Sequence, residues 1–94
     1  MMNANYSYPL DPSWSVKEVE TVMSMFRVVE DAYEVGIPAP KILEVYQAFK
    51  KVIPAKSEEK RLSKAFARVS GYELYEVVKV ATQKQSGQVK LGVE

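Results

Sequence analysis

"SVKEVETVMSMFRVVEDAYEVG", Ser15 to Gly36, decides the fold class. It opens on Ser-x-x-Glu, in which the Ser15 hydroxyl caps the Glu18 amide while the Glu18 carboxylate reaches back to the cap. It closes on Gly36, which supplies a left-handed stop. Between them Val19, Val22, Met23, Phe26, Val29 and Tyr33 recur at helical spacing, so the segment reads as a helix ending near Val35. A second apolar stripe, Met25, Val28, Ala32 and Val35, runs beside the first. The fully polar sector is left narrow: Glu20, Arg27, Glu30, Asp31 and Glu34. A helix apolar over most of its circumference is covered on two sides. One cover is the rest of the domain. The other is the chain's own arm or tail, or a protein partner such as a second copy, which makes Met25, Val28, Ala32 and Val35 a candidate interface.

Working outward toward the C-terminus, "GIPAP" is a turn, and Pro40 suits the first position of a second helix. Ile42, Leu43, Val45, Tyr46, Phe49, Val52 and Ile53 share its inner side. Glu44, Gln47, Lys50 and Lys51 share the other, and Pro54 ends it. Ser57 is the expected cap of a third helix. Glu58 and Glu59 in its first turn read as partners of the helix dipole rather than an acid–base pair. Leu62, Ala65, Phe66 and Val69 form its inner stripe. "SGYE", Ser70 to Glu73, reads as a second capping box that starts a fourth helix, with Leu74, Val77, Val78 and Ala81 inward. The spacing therefore predicts an all-α domain, a small bundle of about four helices over residues 15–82. Beyond it lies a polar tail, 83–94, in which Val89, Leu91 and Val93 alternate as in a short strand.

Toward the N-terminus, "NYSYPLDPSWS", Asn5 to Ser15, cannot be helical, because Pro9 and Pro12 hold it extended. Residues 1–14 read as an arm packed on the domain, a strap with Trp14 and at least one of Tyr6 and Tyr8 mainly buried. Burying Trp14 alone contributes at most roughly 4–6 kcal/mol gross.

The residue inventory narrows the chemistry. The 94 residues include no histidine and no cysteine. This removes the commonest general base, the thiolate nucleophile and the usual zinc ligands. The four glycines form no phosphate-cradling loop. The expectation is a non-enzymatic interaction or accessory protein with no cofactor and no bound metal. No apolar run approaches the roughly 20 residues that span a bilayer. The first dozen residues have neither a basic nor an apolar leader region, so the expected location is the cytoplasm.

The net charge of +1 is unevenly spread: −4 over residues 1–49 and +5 over residues 50–94. Helices that complement one another explain this most simply. The alternative is a nucleic-acid face made of Lys60, Arg61, Lys64 and Arg68 on the third helix and Lys79 on the fourth, with Tyr72 and Tyr75 nearby to stack bases. Glu73 and Glu76 count against it, because both would face a phosphate backbone.

Three blocks, "NYSYPLDPSWS", "VYQAFKKVIPAKSEEKRL" and "SGYELYEVVK", occur in that order over roughly residues 3–82. In this the chain resembles the YktA-like family, small uncharacterised proteins of Firmicutes. The resemblance implies a small all-helical domain in a bacterial cytoplasm. It marks Lys56 to Arg61 as a family feature and brings no catalytic residue.

Overall fold

A computed structural model describes residues 8–92. Helix α1 spans Val16–Glu34, β1 Ile37–Pro38, α2 Ala39–Val52, α3 Lys56–Ser70, α4 Leu74–Lys84 and β2 Gln88–Val89. The domain is the expected four-helix globule, with a small sheet added.

The capping box of α1 forms in full: the Glu18 amide donates to Ser15 Oγ at 3.1 Å, and the Ser15 amide donates to Glu18 Oε1 at 2.8 Å. At the other end Gly36 sits at φ +94°, and its amide and that of Val35 both donate to the Asp31 carbonyl. Only glycine takes that left-handed turn without strain. The chain then pairs β1 with β2 in antiparallel register, Ile37 opposite Val89 and Pro38 opposite Gln88.

α1 is the central helix. Val22, Met25, Phe26, Val28, Val29 and Ala32 are all buried, so both of its apolar stripes face the interior. α2 packs on α1 and α4 packs on α2. α3 reaches the core through Phe66, which stacks on Phe26 at 4.4 Å between ring centroids. Leu74, Val77, Val78 and Ala81 of α4 complete the interior, as their spacing predicts.

The arm carries the stack outward. Tyr8 lies over Phe26 at 5.7 Å, and its hydroxyl donates to Glu30 Oε2 at 2.7 Å. Asp11 organises a turn by accepting from the amides of Ser13 and Trp14. The Ser13 backbone and side-chain hydrogen bonds hold the Asp11 carboxyl below its ordinary range. Tyr8 and Trp14 both pack against the core with most of their surface covered, as the strap requires. Tyr6 lies outside the described residues.

Three sequence expectations change. Ser57 does not cap α3. The helix starts at Lys56 behind Ala55, because extended Ala55 follows the Pro54 break and leaves Ser57 already inside the first turn. Ser70 does not open α4. It is the last residue of α3, donating to the Phe66 carbonyl at 2.7 Å and accepting from the Tyr72 amide at 3.0 Å, and Gly71 in the left-handed region stops the helix. Glu73, at the cap of α4, has no side-chain capping bond, and its amide donates to the Tyr33 hydroxyl instead. Val69, expected inward, is 40% exposed, since it sits in the final turn beyond the reach of the core.

The tail is also less free than its polarity implies. α4 runs to Lys84, and the chain then returns to the end of α1. Val89 is buried, and the Leu91 amide donates to the Ala32 carbonyl at 2.8 Å. Gly92 lies so close to Tyr33 that an added Cβ would come within 1.9 Å of its carbonyl oxygen. Val93 is outside the described residues.

Candidate functional site: a tyrosine–carboxylate–lysine cluster beside an exposed tyrosine

The polar chemistry of the interior gathers where α2 meets α3. Tyr46 and Lys50 are four residues apart on α2, so their side chains project from one face. The short break at Pro54 turns the chain so that Glu59, in the first turn of α3, points back between them. Glu59 is only 4% exposed, the one charged residue in the buried set among the described residues. Its Oε2 accepts from the Tyr46 hydroxyl at 2.6 Å and its Oε1 from Lys50 Nζ at 2.7 Å. Lys50 also donates weakly to the Pro54 carbonyl at 3.4 Å. Burial, then the bond to Glu59 and its charge, push the Tyr46 hydroxyl well above its ordinary value of 10.0. Tyr46 therefore stays protonated and donating at neutral pH.

This cluster is closed on itself. Each oxygen of Glu59 has a donor, and no buried side-chain nitrogen or oxygen among the described residues lacks a hydrogen bond. It ties α2 to the start of α3 at a helix corner.

The open surface lies next to it. Tyr75, on the outer side of α4, is 58% exposed. It lines two neighbouring hollows. The larger, of about 330 Å³, is bounded by Tyr46, Tyr75, Val78, Lys79, Thr82 and Gln83. The smaller, of about 70 Å³, is bounded by Lys56, Glu59, Lys60, Ser63 and Tyr75. The two hollows are also joined underneath, since the Tyr46–Glu59 bond links a wall of one to a wall of the other.

The sequence candidates fall as follows. Met25, Val28 and Ala32 are core residues, none more than 5% exposed, covered within a single chain. Only Val35 of that stripe reaches the surface, at 69%. Of the basic face, Lys60, Arg61, Lys64, Arg68 and Lys79 are all exposed, and Lys60, Lys64 and Arg68 follow one another at four-residue spacing along α3. Lys60 and Lys79 flank Tyr75. Arg61 bonds Glu58 at 2.9 Å and lines a separate hollow beneath the arm, with Pro9, Leu10, Asp11 and Pro12. Among the described residues no group of three or more His, Cys, Asp or Glu residues is placed to hold a metal ion. Nor is any described helix long and apolar enough to cross a membrane.

The Tyr46–Glu59–Lys50 cluster is absent from the helical pattern. Lys50 reads there as a solvent residue and Glu59 as a dipole partner. The available signal was a Tyr and a Lys four apart on one helix, followed after a short break by an acid in the first turn of the next.

A second polar lock closes the far end of α1. Tyr33 and Tyr72 stack at 4.5 Å, and the Tyr72 hydroxyl donates to Glu34 Oε2 at 2.7 Å. The bond to Glu34, then burial and the nearby carboxylates, push the Tyr72 hydroxyl up to about 12.

Comparison with known proteins places this architecture in a group. A UPF0223 protein of Streptococcus sanguinis (strain SK36) is 52% identical over 91 residues, covering 97% of this chain and 99% of that protein. A UPF0223 protein of Streptococcus pneumoniae (strain CGSP14) is 53% identical over the same span and with the same coverage. The model of the uncharacterised protein family UPF0223 matches residues 5–90, from the arm through the docked tail. The chain therefore belongs to the UPF0223 family.

Proposed function

We propose that this chain is a non-enzymatic interaction or accessory protein of the bacterial cytoplasm, which acts through its surface and turns over no substrate. One observation carries the reading: the most elaborate polar cluster, Tyr46–Glu59–Lys50, engages both oxygens of its buried carboxylate internally, while an exposed tyrosine between lysines is left open. Reactive sites are built the other way, with perturbed groups aimed into a cleft. The absence of histidine and cysteine from the sequence supports the same reading. The resemblance of the three sequence blocks to the YktA-like proteins of Firmicutes supports the bacterial cytoplasmic setting. The test is a lysine-reactive cross-linking pull-down from cells producing the tagged chain. A specific cross-linked protein band is the expected result, and a lane matching the untagged control defeats the reading.

Nucleic-acid binding through Lys60, Arg61, Lys64, Arg68 and Lys79 keeps one observation in its favour, the exposure of all five. It calls for salt-sensitive binding of DNA or RNA in a low-salt gel shift. The diversion of Arg61 to Glu58 and the arm weighs against it.

A further inference from the structure

The two hollows around Tyr75 combine an exposed aromatic ring with lysines. The walls of the larger are apolar and aromatic, Val78 and the rings of Tyr46 and Tyr75, and Tyr75 is shared with the smaller. Their rims are cationic: Lys56 and Lys60 on α3, Lys79 on α4. None of these three lysines forms an ion pair with a carboxylate of the described residues. The carboxylate closest to hand, Glu59, is buried and already neutralised by Lys50. The hydroxyl of Thr82 is engaged by the Val78 carbonyl, which leaves Lys79, Gln83 and the Tyr75 hydroxyl as polar groups on offer in the larger hollow.

An aromatic ring left more than half exposed and ringed by uncompensated positive charge has the make-up of a contact anchor. The volume, about 330 Å³, is at the low end of the range of ligand clefts, about 300–1,000 Å³, and suits a single bulky side chain. The walls call for an apolar or aromatic group and the rims for negative charge on either side of it. A nucleic-acid strand fits less well. It needs a continuous basic track. Here three lysines rim two hollows of side-chain size, and Arg61 of the same helix is paired with Glu58.

Building on the interaction reading above, we propose that the Tyr75 surface of α3 and α4 docks an acidic peptide segment of another protein. The segment's central aromatic side chain enters the hollow between Tyr46, Tyr75 and Val78. Its flanking carboxylates pair with Lys56, Lys60 and Lys79. The Tyr46–Glu59–Lys50 cluster then has a purpose beyond the corner it fixes: it holds the Tyr46 wall rigid and keeps the buried carboxylate from repelling the ligand.

The test uses the full chain and a fluorescein-labelled peptide of alternating Asp and Glu around one Phe, read by fluorescence anisotropy at low salt. The expected result is saturable binding that weakens by about tenfold or more in Tyr75→Ala and in Lys79→Glu. Replacing the Phe of the peptide by Gly weakens it similarly, while Lys17→Glu, on exposed α1 surface, changes it little. Because Tyr75 and Lys79 are exposed, the variants keep the wild-type thermal melt, which is measured alongside. No binding, or binding indifferent to Tyr75 and to the Phe, overturns the proposal. So does Tyr75-dependent binding of labelled oligo-uridine in place of the peptide. A wild-type chain that sediments as a dimer while Tyr75→Ala is a monomer makes the occupant a second copy, which also overturns it. The two readings fail separately. A cross-linked partner still captured by Tyr75→Ala overturns this location and leaves the interaction role standing. Loss of any captured partner from the wild type defeats that role itself.

Discussion

Glu59 sits where a helix start is expected to hold a solvated acid, and it is buried instead. A buried carboxylate is tolerated only when its oxygens are fully engaged, and here Tyr46 and Lys50 engage one each. Tyr46→Phe removes one donor and leaves the Lys50 pair intact. It should cost about 1–2 kcal/mol in urea denaturation, somewhat below the usual value for a bond to a charged group because Tyr46 is only half-buried. The same tyrosines set an alkaline limit. Tyr46 and Tyr72 both have hydroxyl pKa values raised above 10.0 in the folded chain, so the folded state holds those protons more tightly than the unfolded one. Their contribution to stability is fully present below about pH 10. It is lost as pH rises from there, through about 12 for Tyr72 and beyond for Tyr46. Thermal melts from pH 8 upward should therefore fall more steeply above about pH 10 in the wild type than in Tyr46→Phe/Tyr72→Phe, which retains the same lysines.

At the scale of the element, α1 shows how much of a helix its sequence dictates. The Ser15–Glu18 box and the Gly36 stop are local chemistry, and both form as the sequence implies. The second apolar stripe is different. Period and hydropathy show that Met25, Val28 and Ala32 are covered, but not by what. The structure covers them from within the chain, because α1 lies at the centre of the bundle. Val28→Glu should accordingly unfold the monomer, at a cost above about 3 kcal/mol, seen as loss of the far-UV helical signal rather than as a change of size. The α3–α4 corner shows the converse case. A Ser-Gly-x-Glu signature has two structural uses, and the choice between them is not local. Ser70 ends the helix before it, because Gly71 takes the left-handed turn and the Glu73 amide finds Tyr33 across the fold.

For the whole molecule, the two ends of the chain act as clasps on the same central helix. The arm stacks Tyr8 on Phe26 and ties it to Glu30, while the tail seats Val89 in the core and bonds the Ala32 carbonyl. A domain of this size buries limited apolar surface, so each clasp is a sizeable part of its stability. Deleting residues 86–94 removes the β1–β2 pairing and the buried Val89. It should lower stability by about 2–3 kcal/mol, measured as the shift in the urea midpoint. Gly92→Ala should reproduce a smaller part of that loss without removing any contact residue, through the clash with Tyr33 alone.

The sequence by itself determined the four helices, most of their inward residues and the non-helical arm. These follow from periodicity, proline and capping, all of which act within a few residues. It also placed the five exposed basic side chains on the third and fourth helices, and the resemblance of its three ordered blocks pointed to an uncharacterised bacterial family. Only the tertiary structure decided that the tail returns to pair with β1, that Lys50 leaves the solvent to meet Glu59 and Tyr46, and that Lys60 and Lys79 come together around Tyr75 while Arg61 turns to the arm. Each of these depends on groups far apart in the chain, whose meeting is set by how the helices cross. No local pattern encodes that crossing, because a long polar side chain at a helix boundary reads the same whether its partner is water or a carboxylate from the next helix.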